Sequence, residues 1–389
     1  MSRIFICSTQ FQIISILCLM NDQQIVLSRK KNDIIIEAVV PHAVQWAEAL
    51  RKTGYFKSVY VLNPTANFSP LAISKRILLS RKLRGKIHIT WKQWWLATFT
   101  GQTEYLEREI QIHEQDHQPF CASSYDEYFV ASLTSLGLSL YKEFQSSSVK
   151  TIFFDEGVGS YIGSLWAKHV APDEIYLFAP ELINVDHVTK PIPKLSRLKD
   201  TKLLDIVQRE LKITQESLPD FVFFDQWLAM PSLHDTISFE GWQASGYITK
   251  KVGLLKRIAG CVGEYELGMK LHPASCIPEV FEFYNRQQLR VLSENYGVPF
   301  ELSACVAKKR PKCLLTVFSS AVITPLTLGI DQNIKVILLW KLFKNDKALK
   351  QFTKDNSISI FFEKVRQKYP NNIYIPNSES ELMSILKTL

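Results

Sequence analysis

The stretch that most constrains the fold of this chain is Thr151–Ser160, with the sequence TIFFDEGVGS. Its first residues are typical of a strand that is covered on both faces, as in a parallel sheet. Asp155 and Glu156 follow directly and lead into a turn, where Gly157 allows a tight bend and close approach of a ligand. Ligands of open α/β sheets bind at the carboxyl ends of strands, so the pattern predicts acid–base residues at such an edge. The alternative is an aspartate that caps a helix over Ser160–Lys168.

Predicted strands and helices alternate along the chain, which indicates an α/β protein. The runs that predict strands are Arg3–Cys7, Asp33–Val40, Ser58–Leu62, Glu127–Ala131, Lys150–Phe154, Ile175–Phe178, Phe221–Phe224, Glu266–Leu271, Gly297–Glu301, Cys313–Phe318 and Lys335–Leu339. The length of 389 residues favours two domains, each with a core of its own. We predict Rossmann-like domains over residues 1–187 and 220–376, a linker over 188–219 and a terminal helix over 377–389.

The formal charge of +8 is concentrated partly in the segment Lys75–Trp95, where basic and apolar residues alternate before a group of tryptophans. This pattern is typical of a segment that binds an anionic membrane surface or an acidic glycan. It is also typical of a solvated helix face beside a loop, which is the favoured interpretation. No recognised nucleic-acid-binding module accompanies the charge, so nucleic acid is not predicted as a partner.

The sequence favours a cytoplasmic location, with at most a peripheral contact with the inner face of a membrane. No stretch reaches the ~18–20 uninterrupted apolar residues that a membrane-spanning helix needs. Polar residues interrupt the apolar N-terminal region, and no small-residue cleavage site follows it. The seven cysteines are scattered and form no CxxC pair, which indicates a reducing compartment.

One segment, His113–His117, matches the zinc-binding pattern HExxH. On a helix its two histidines could bind a metal ion, with Glu114 as a base. However, its flanks are polar, Pro119 ends the helix two residues later, and no third ligand is placed nearby. We therefore favour an exposed, polar helix end and predict no metal site.

Two segments in the second half also place polar side chains directly after predicted strands. Met269–Pro273 ends in His-Pro, which puts the imidazole of His272 at the carboxyl edge of a sheet, although a lone histidine there is more often structural. In Phe318–Ala321 two serines precede a helical start. Their hydroxyls and the helix N–H groups suit a phosphate, while capping of the helix is the default interpretation.

The order of these motifs, DEG, HP, an isolated Glu301 after a short strand and then Ser-Ser, resembles that of the bacterial sialyltransferases. Those enzymes share a D/E-D/E-G motif, an HP motif and a paired-serine motif. Among them the chain is most similar to glycosyltransferase family 52, the lipooligosaccharide and capsule group. The segments FICSTQFQ and FFDQ also resemble parts of that family. The resemblance implies a GT-B-like fold, with two Rossmann-like domains facing each other across a cleft.

This resemblance implies an inverting enzyme that moves sialic acid from CMP-sialic acid to a terminal galactose of a bacterial surface glycan, with an α2,3 linkage favoured. Asp155 would act as the general base on the acceptor hydroxyl, and His272 as the acid at the departing phosphate. The N-terminal domain would bind the acceptor and the C-terminal domain the donor. The donor contacts implied are Lys270, Pro273, Glu301, Ser319, Ser320 and Gln226, and the cleft or acceptor contacts are Glu156, Gly157 and Gln12.

The resemblance further implies that no metal ion and no cofactor are required, and it leaves a homodimer open. Two alternatives remain open as well. A polysialyltransferase, or another sugar-nucleotide transferase on the same fold, would use Lys75–Trp95 as part of a channel for an anionic product. A glycan-binding capsule-assembly protein would keep the fold without turnover, but it would have no use for the base and acid at Asp155 and His272.

Overall fold

The structure is a computed structural model of the chain. It describes residues 2–21, 31–37, 40–62, 125–131, 149–162, 172–183, 189–195, 202–226, 246–272, 278–292, 297–344, 346 and 357–389. The chain divides into two compact units, Met1–Lys212 and Ile213–Leu389. Each unit contains one parallel sheet with helices, which confirms the predicted α/β class with two Rossmann-like domains.

The sheet of the first unit has the strand order β3-β2-β1-β4-β5-β6-β7, and the paired strands are parallel throughout. The strands are β1 (Ser2–Cys7), β2 (Lys31–Glu37), β3 (Ser58–Leu62), β4 (Glu127–Val130), β5 (Lys150–Phe154), β6 (Glu174–Leu177) and β7 (Thr189–Pro191). The described helices are α1 (Gln10–Met20), α2 (Ala43–Thr53), α3 (Val158–Ile162) and α4 (Lys202–Glu210). The order reverses between β1 and β4, which is the point where α/β sheets of this kind bind ligands.

The sheet of the second unit has the order β12-β11-β10-β8-β9, again with parallel pairs. Its strands are β8 (Phe221–Phe224), β9 (Leu267–Lys270), β10 (Cys313–Thr316), β11 (Lys335–Leu338) and β12 (Ile373–Tyr374). The described helices are α5 (Gly246–Val262), α6 (Pro278–Arg286), α7 (Phe300–Val306), α8 (Thr324–Thr327), α9 (Ser357–Lys368) and α10 (Glu379–Thr388). Here the order reverses between β8 and β10, so the segments after these two strands adjoin the expected ligand edge.

Apolar side chains on both faces explain why these segments form interior strands. In β5, the residues Ile152, Phe153 and Phe154 are each at most 2% exposed. Helix α1 is buried on nearly all sides. Thr9 is the N-cap residue of this helix, because its hydroxyl accepts a hydrogen bond from the backbone N–H of Gln12 at 3.2 Å. This cap fixes the turn between β1 and α1, where polar residues were predicted to contact a ligand.

Among the predicted strands, Gly297–Glu301 is wrong, because Glu301 lies in helix α7. Gly297 adopts a positive φ of 74°, which makes a turn. Pro299 then directly precedes the helix, and burial of Phe300 anchors its first turn. The other predicted strands are confirmed, with ends that differ by a few residues.

The predicted linker 188–219 differs from the structure. Its first part forms β7, which pairs with β6, and its second part forms α4, which contacts α2. Lys52 of α2 donates to Glu210 of α4 at 2.6 Å. The boundary between the units therefore falls after Lys212. At the other end of the chain, α10 packs on α5 within the second unit.

No helix among the described residues is both long and apolar enough to cross a membrane. The basic segment Lys75–Trp95 and the predicted helix that carries His113–His117 lie outside the described residues. Within the described ranges, the cysteines form no disulfide.

Gly268 in β9 provides a test of the packing in the second unit. A Cβ atom at this position would lie 2.7 Å from Cγ of Pro219 and 2.8 Å from Cδ2 of Leu292. Because such contacts are too short, we expect Gly268→Ala to lower the free energy of unfolding by about 1–3 kcal/mol in urea titrations.

Gly260→Ala in α5 is the matched control, since a Cβ atom there meets nothing within 4 Å. Alanine favours a helix over glycine by up to about 1 kcal/mol, so this variant should be as stable as the parent or slightly more stable. Equal stability of the two variants would show that the packing around β9 is looser than the structure indicates.

Candidate functional site

The turn after β5 is built around the carboxylate of Asp155, which is 1% exposed. One oxygen, Oδ1, accepts the backbone N–H of Gly157 at 2.8 Å. The other, Oδ2, accepts the backbone N–H of Phe178 at 3.0 Å and the hydroxyl of Tyr161. Gly157 adopts a φ of 111°, a conformation that suits glycine. The turn thus positions Asp155 at the carboxyl end of β5, as the sequence predicted.

Burial raises the pKa of Asp155 to about 6, because a desolvated carboxylate is less stable than the protonated acid. The hydrogen bonds from Tyr161, Phe178 and Gly157 and the nearby charge of Lys194 act in the opposite direction. A carboxyl group with this pKa can take up and release a proton close to neutral pH. The same hydrogen bonds also close the turn before α3, so Asp155 has a structural role as well.

The predicted residues Gln12 and Glu156 contact each other at this edge. Nε2 of Gln12 donates to Oε2 of Glu156 at 3.0 Å, while Oε1 of Gln12 accepts the backbone N–H of Ser8 at 2.6 Å. Ser15 of α1 also donates to the backbone oxygen of Asp155 at 2.9 Å. The segment after β1 and the segment after β5 therefore form one polar cluster in the first unit.

Sequence reasoning missed Tyr161 and Lys194 in this cluster. Lys194 donates to the backbone oxygen of Phe178, and burial lowers its pKa, while the charge of Asp155 acts in the opposite direction. Tyr161 lies six residues after Asp155, in the short helix α3 that follows the glycine turn. This spacing could have indicated that its hydroxyl reaches Asp155. Lys194 lies in the segment 188–219 that the sequence predicts as a linker, and no site residue is predicted there.

In the second unit, His272 and Gln226 follow neighbouring strands. The backbone N–H of Asp225, directly after β8, donates to the backbone oxygen of Lys270 at 2.9 Å and keeps the two chain segments side by side. His272 is exposed overall, but its imidazole packs partly against the protein. This partial burial lowers the pKa of His272, and the negative charge of Asp225 acts in the opposite direction.

Gln226, which was predicted to contact the donor, follows β8 closely. Within the described part of the chain, its side-chain oxygen Oε1 is buried and has no hydrogen-bond partner. Buried acceptors are nearly always satisfied in folded proteins, so this oxygen is expected to accept a hydrogen bond from water, from a ligand or from a part of the chain outside the described residues. Pro273, which was predicted to contact the donor, lies outside the described residues.

Glu301, Lys270 and the paired serines belong to the same unit. Glu301 is buried in α7, and Thr324 of α8 lies 2.7 Å from its Oε1. Lys270 donates from Nζ to the backbone oxygen of Val298 at 3.2 Å, and its charge acts on Glu301. Two of the predicted donor contacts, Lys270 at the end of β9 and Glu301 in α7, are therefore close enough for their charges to interact.

Ser319 caps the short helical turn Ser320–Val322, because its hydroxyl accepts the backbone N–H of Ala321 at 3.3 Å. Thr316 of β10 orients this loop: its hydroxyl accepts the backbone N–H of Ser319 at 3.0 Å and donates to the backbone oxygen of Phe224 at 2.9 Å. The default capping interpretation of Ser319 is thus confirmed. A role in phosphate binding stays a prediction.

A buried ionic cluster around Asp225, directly after β8, was not predicted from the sequence. Nζ of Lys251 in α5 lies 2.5 Å from Oδ1 of Asp225, and both side chains are at most 2% exposed. The hydroxyl of Tyr284 in α6 donates to Oδ2 of the same aspartate at 2.7 Å. Asp225 follows a buried strand just as Asp155 does, and this shared pattern could have revealed it.

No group of three or more histidine, cysteine or acidic residues that could hold a metal ion occurs among the residues that the structure describes. The HExxH segment is not among them.

No known protein-family model matches the sequence, and no curated protein matches it. Several solved structures are similar to the chain in fold. A sialyltransferase from Photobacterium damsela is 9% identical, with a TM-score of 0.48 over 96% of this chain and 81% of that one. A UDP-GlcNAc 2-epimerase from Neisseria meningitidis bound to UDP-GlcNAc is 13% identical, with a TM-score of 0.42 over 99% and 98%. The E. coli heptosyltransferase with ADP is 13% identical, with a TM-score of 0.35 over 87% and 86%. At these identities and TM-scores, the similarities support no statement about activity.

Proposed function

We propose that this chain is a glycosyltransferase that uses a sugar nucleotide, and that the nucleotide is CMP-sialic acid. The observation that carries the proposal is the buried Asp155 at the carboxyl end of β5, where burial raises its pKa to about 6. A general base works best when its pKa lies near the working pH, and such a base contributes about 10²–10⁴-fold to the rate.

In the proposed reaction, Asp155 removes the proton from a galactose hydroxyl as the hydroxyl oxygen attacks the anomeric carbon of sialic acid. The bond from that carbon to the CMP phosphate breaks, and His272 gives a proton or a hydrogen bond to the departing phosphate. The lowered pKa of His272 refers to the protein without a ligand. A bound phosphate would raise it again, because negative charge favours the imidazolium.

The remaining predicted residues would bind and orient the substrates. Glu301, Gln226 and Lys270 would contact the nucleoside, and Pro273 would fix the turn after His272. Ser319 and Ser320 would hold the phosphate without a metal ion. Glu156, Gly157 and Gln12 would line the acceptor side. The proposed acceptor is a galactose-terminated bacterial surface glycan, with α2,3 linkage of the product. A cytoplasmic location stays a prediction from the sequence. Peripheral membrane contact and a homodimer stay predictions.

The test is incubation of the protein with CMP-sialic acid and lactose in EDTA, followed by linkage analysis of the product. We expect sialyl-lactose and free CMP in equal amounts, with no loss of rate from the chelator. CMP release without transfer would contradict the proposed acceptor. A preference for UDP-sugars would overturn the proposed donor and leave a glycosyltransferase of other specificity. Binding of the glycan without any turnover would favour the capsule-assembly alternative.

A further inference from the structure

The hydroxyl of Thr324 has one proton and two neighbours that compete for it. Its Oγ1 lies 2.7 Å from Oε1 of Glu301 and 2.8 Å from the backbone oxygen of Ala321. A backbone oxygen only accepts hydrogen bonds, and an ionised carboxylate likewise only accepts them. One hydroxyl proton cannot give a full hydrogen bond to both oxygens. A second proton, carried by the carboxyl group of Glu301, resolves the conflict.

With Glu301 protonated, every group in this chain of contacts is satisfied. The acid donates to Oγ1 of Thr324, and the threonine hydroxyl donates in turn to the backbone oxygen of Ala321. Glu301 and Thr324 are 5% and 6% exposed, so bulk water does not readily replace either contact. An unsatisfied buried acceptor costs about 1–3 kcal/mol, which favours the protonated arrangement.

The surroundings of Glu301 act in the same direction. Burial raises its pKa above the ordinary value and is the largest influence. In the ionised form of Glu301, hydrogen bonds from the Thr324 hydroxyl and from its own backbone N–H would act against burial, as does the charge of Lys270. Lys270, the last residue of β9, is the charged group that acts on Glu301 among the described residues, and its Nζ also donates to the backbone oxygen of Val298. Phe300, which precedes Glu301 in α7, packs edge to face on the ring of Phe224, with 4.7 Å between the ring centroids.

We propose that Glu301 and Thr324 share a proton in the nucleotide-free protein, and that nucleotide binding releases it to the solvent. This inference rests on the proposed function, in which Glu301 accepts hydrogen bonds from the ribose hydroxyls or the base amine. Those donors take the place of the acidic proton: the carboxyl O–H bond breaks, the proton passes to a buffer base, and the carboxylate accepts the ligand instead. Thr324 is then a positioning residue that fixes the orientation of the carboxyl group.

Calorimetric titration with CMP tests the proposal. The titration is repeated at several pH values between 5 and 8, each in two buffers of different ionisation heat, which gives the number of protons released. Glu301→Gln is the reference, because the amide keeps a donor toward Thr324 but has no proton to release. Proton uptake or release by the phosphate and by His272 is expected in both proteins, so it cancels in the difference between them. We expect the parent to release up to one proton more than the variant at low pH, with the difference falling as the pH rises.

Infrared spectroscopy of the protein alone gives a second measurement that does not depend on the ligand. The difference spectrum between the parent and Glu301→Gln should contain the carbonyl band of a protonated carboxylic acid, which disappears as the pH rises. Absence of this band, together with equal proton release by both proteins, would overturn the proposal and leave the proposed function intact. Failure of CMP to bind at all would instead count against the proposed donor, while the infrared band would still decide the protonation state.

The positioning role of Thr324 has its own matched set of variants. Thr324→Val removes the hydroxyl and should weaken CMP binding about tenfold, as expected for one lost hydrogen bond in a buried network. Thr324→Ser restores the hydroxyl and should restore affinity. Thr327→Val makes the same change on the same short helix and should leave the affinity unchanged. Equal affinity of Thr324→Val and the parent would exclude the positioning role.

Discussion

Replacing Asp155 by asparagine is expected to lower kcat at least ~10²-fold while donor binding is largely kept. The amide oxygen can still accept the N–H of Gly157, so the turn after β5 can persist, whereas the variant has no carboxylate to take the proton. The measurement is steady-state transfer from CMP-sialic acid to lactose, with CMP affinity determined separately. A variant with unchanged kcat would show that Asp155 only closes the turn.

The pH dependence of the parent enzyme follows from the same carboxyl group. A base with a pKa of about 6 must be ionised to work, so activity should fall as the pH falls through about 6. Stability should change in the opposite sense. In the folded protein the pKa of Asp155 lies above its ordinary value of 3.8. The contribution of Asp155 to the free energy of unfolding is therefore fully present below pH 3.8 and is lost as the pH rises through about 6. The ionised group costs about 3 kcal/mol at neutral pH, which urea titrations of the parent and Asp155→Asn at pH 5 and pH 8 would measure.

Two further variants separate catalysis from structure. Tyr161→Phe removes a hydrogen bond that holds the pKa of Asp155 down, so the acidic limb of the pH–rate profile should move to higher pH. Asp173→Asn is the matched control, because Asp173 accepts the N–H of Thr151 at 2.7 Å at the opposite end of β5. This control should leave the profile in place. If Tyr161→Phe also left it in place, the limb would belong to another group.

A loss of stability of about 3–5 kcal/mol is expected for Lys251→Met. The ammonium group of Lys251 compensates the charge of Asp225, and both side chains are almost fully shielded from water. Without it, the carboxylate keeps the hydroxyl of Tyr284 but loses its counter-charge. Removing one partner of a buried ion pair leaves an uncompensated charge, which explains the size of the effect. Urea unfolding followed by far-UV circular dichroism measures it.

The neighbouring Lys250→Met provides the control, since that ammonium group is exposed and contacts the backbone oxygen of Leu342. Its expected effect is within about 0.5 kcal/mol. The double variant with Asp225→Asn should regain part of the lost stability, because it removes the buried charge as well. If the double variant were as unstable as the sum of the two single variants, the pair would not be coupled.

The sequence predicted the position of the acidic turn, because a buried strand followed by acids and glycines allows few other arrangements. For the same reason, the placement of His272 and of the paired serines after strands is confirmed. Each of these inferences needs only local pattern and the rule that parallel strands end at one edge. The strand predicted over Gly297–Glu301 failed because five residues carry too little periodicity, and a glycine turn beside a proline starts the helix instead.

The partners of the site residues could not be predicted. Thr324 contacts Glu301 from 23 residues away, and Lys251 contacts Asp225 from 26 residues away, through helices whose rotation about their axes the sequence does not specify. Lys194 was not predicted, because two prolines in its segment are typical of a linker. In the structure the segment contains the edge strand β7, which pairs with β6. The roles of Asp155 and His272 in catalysis stay predictions.

The strand order of the first unit has a consequence for how the protein is made. Strand β1 lies between β2 and β4, and the backbone of Ser2 bonds to Asp126, 124 residues further along the chain. A ribosome that adds about 5–20 residues per second needs about 6–25 s to synthesise that stretch. Throughout this time the backbone N–H and C=O groups on one edge of β1 lack the strand with which they pair in the folded protein. Because unpaired strand edges favour aggregation, we expect N-terminal fragments that end before β4 to aggregate more readily than the whole chain.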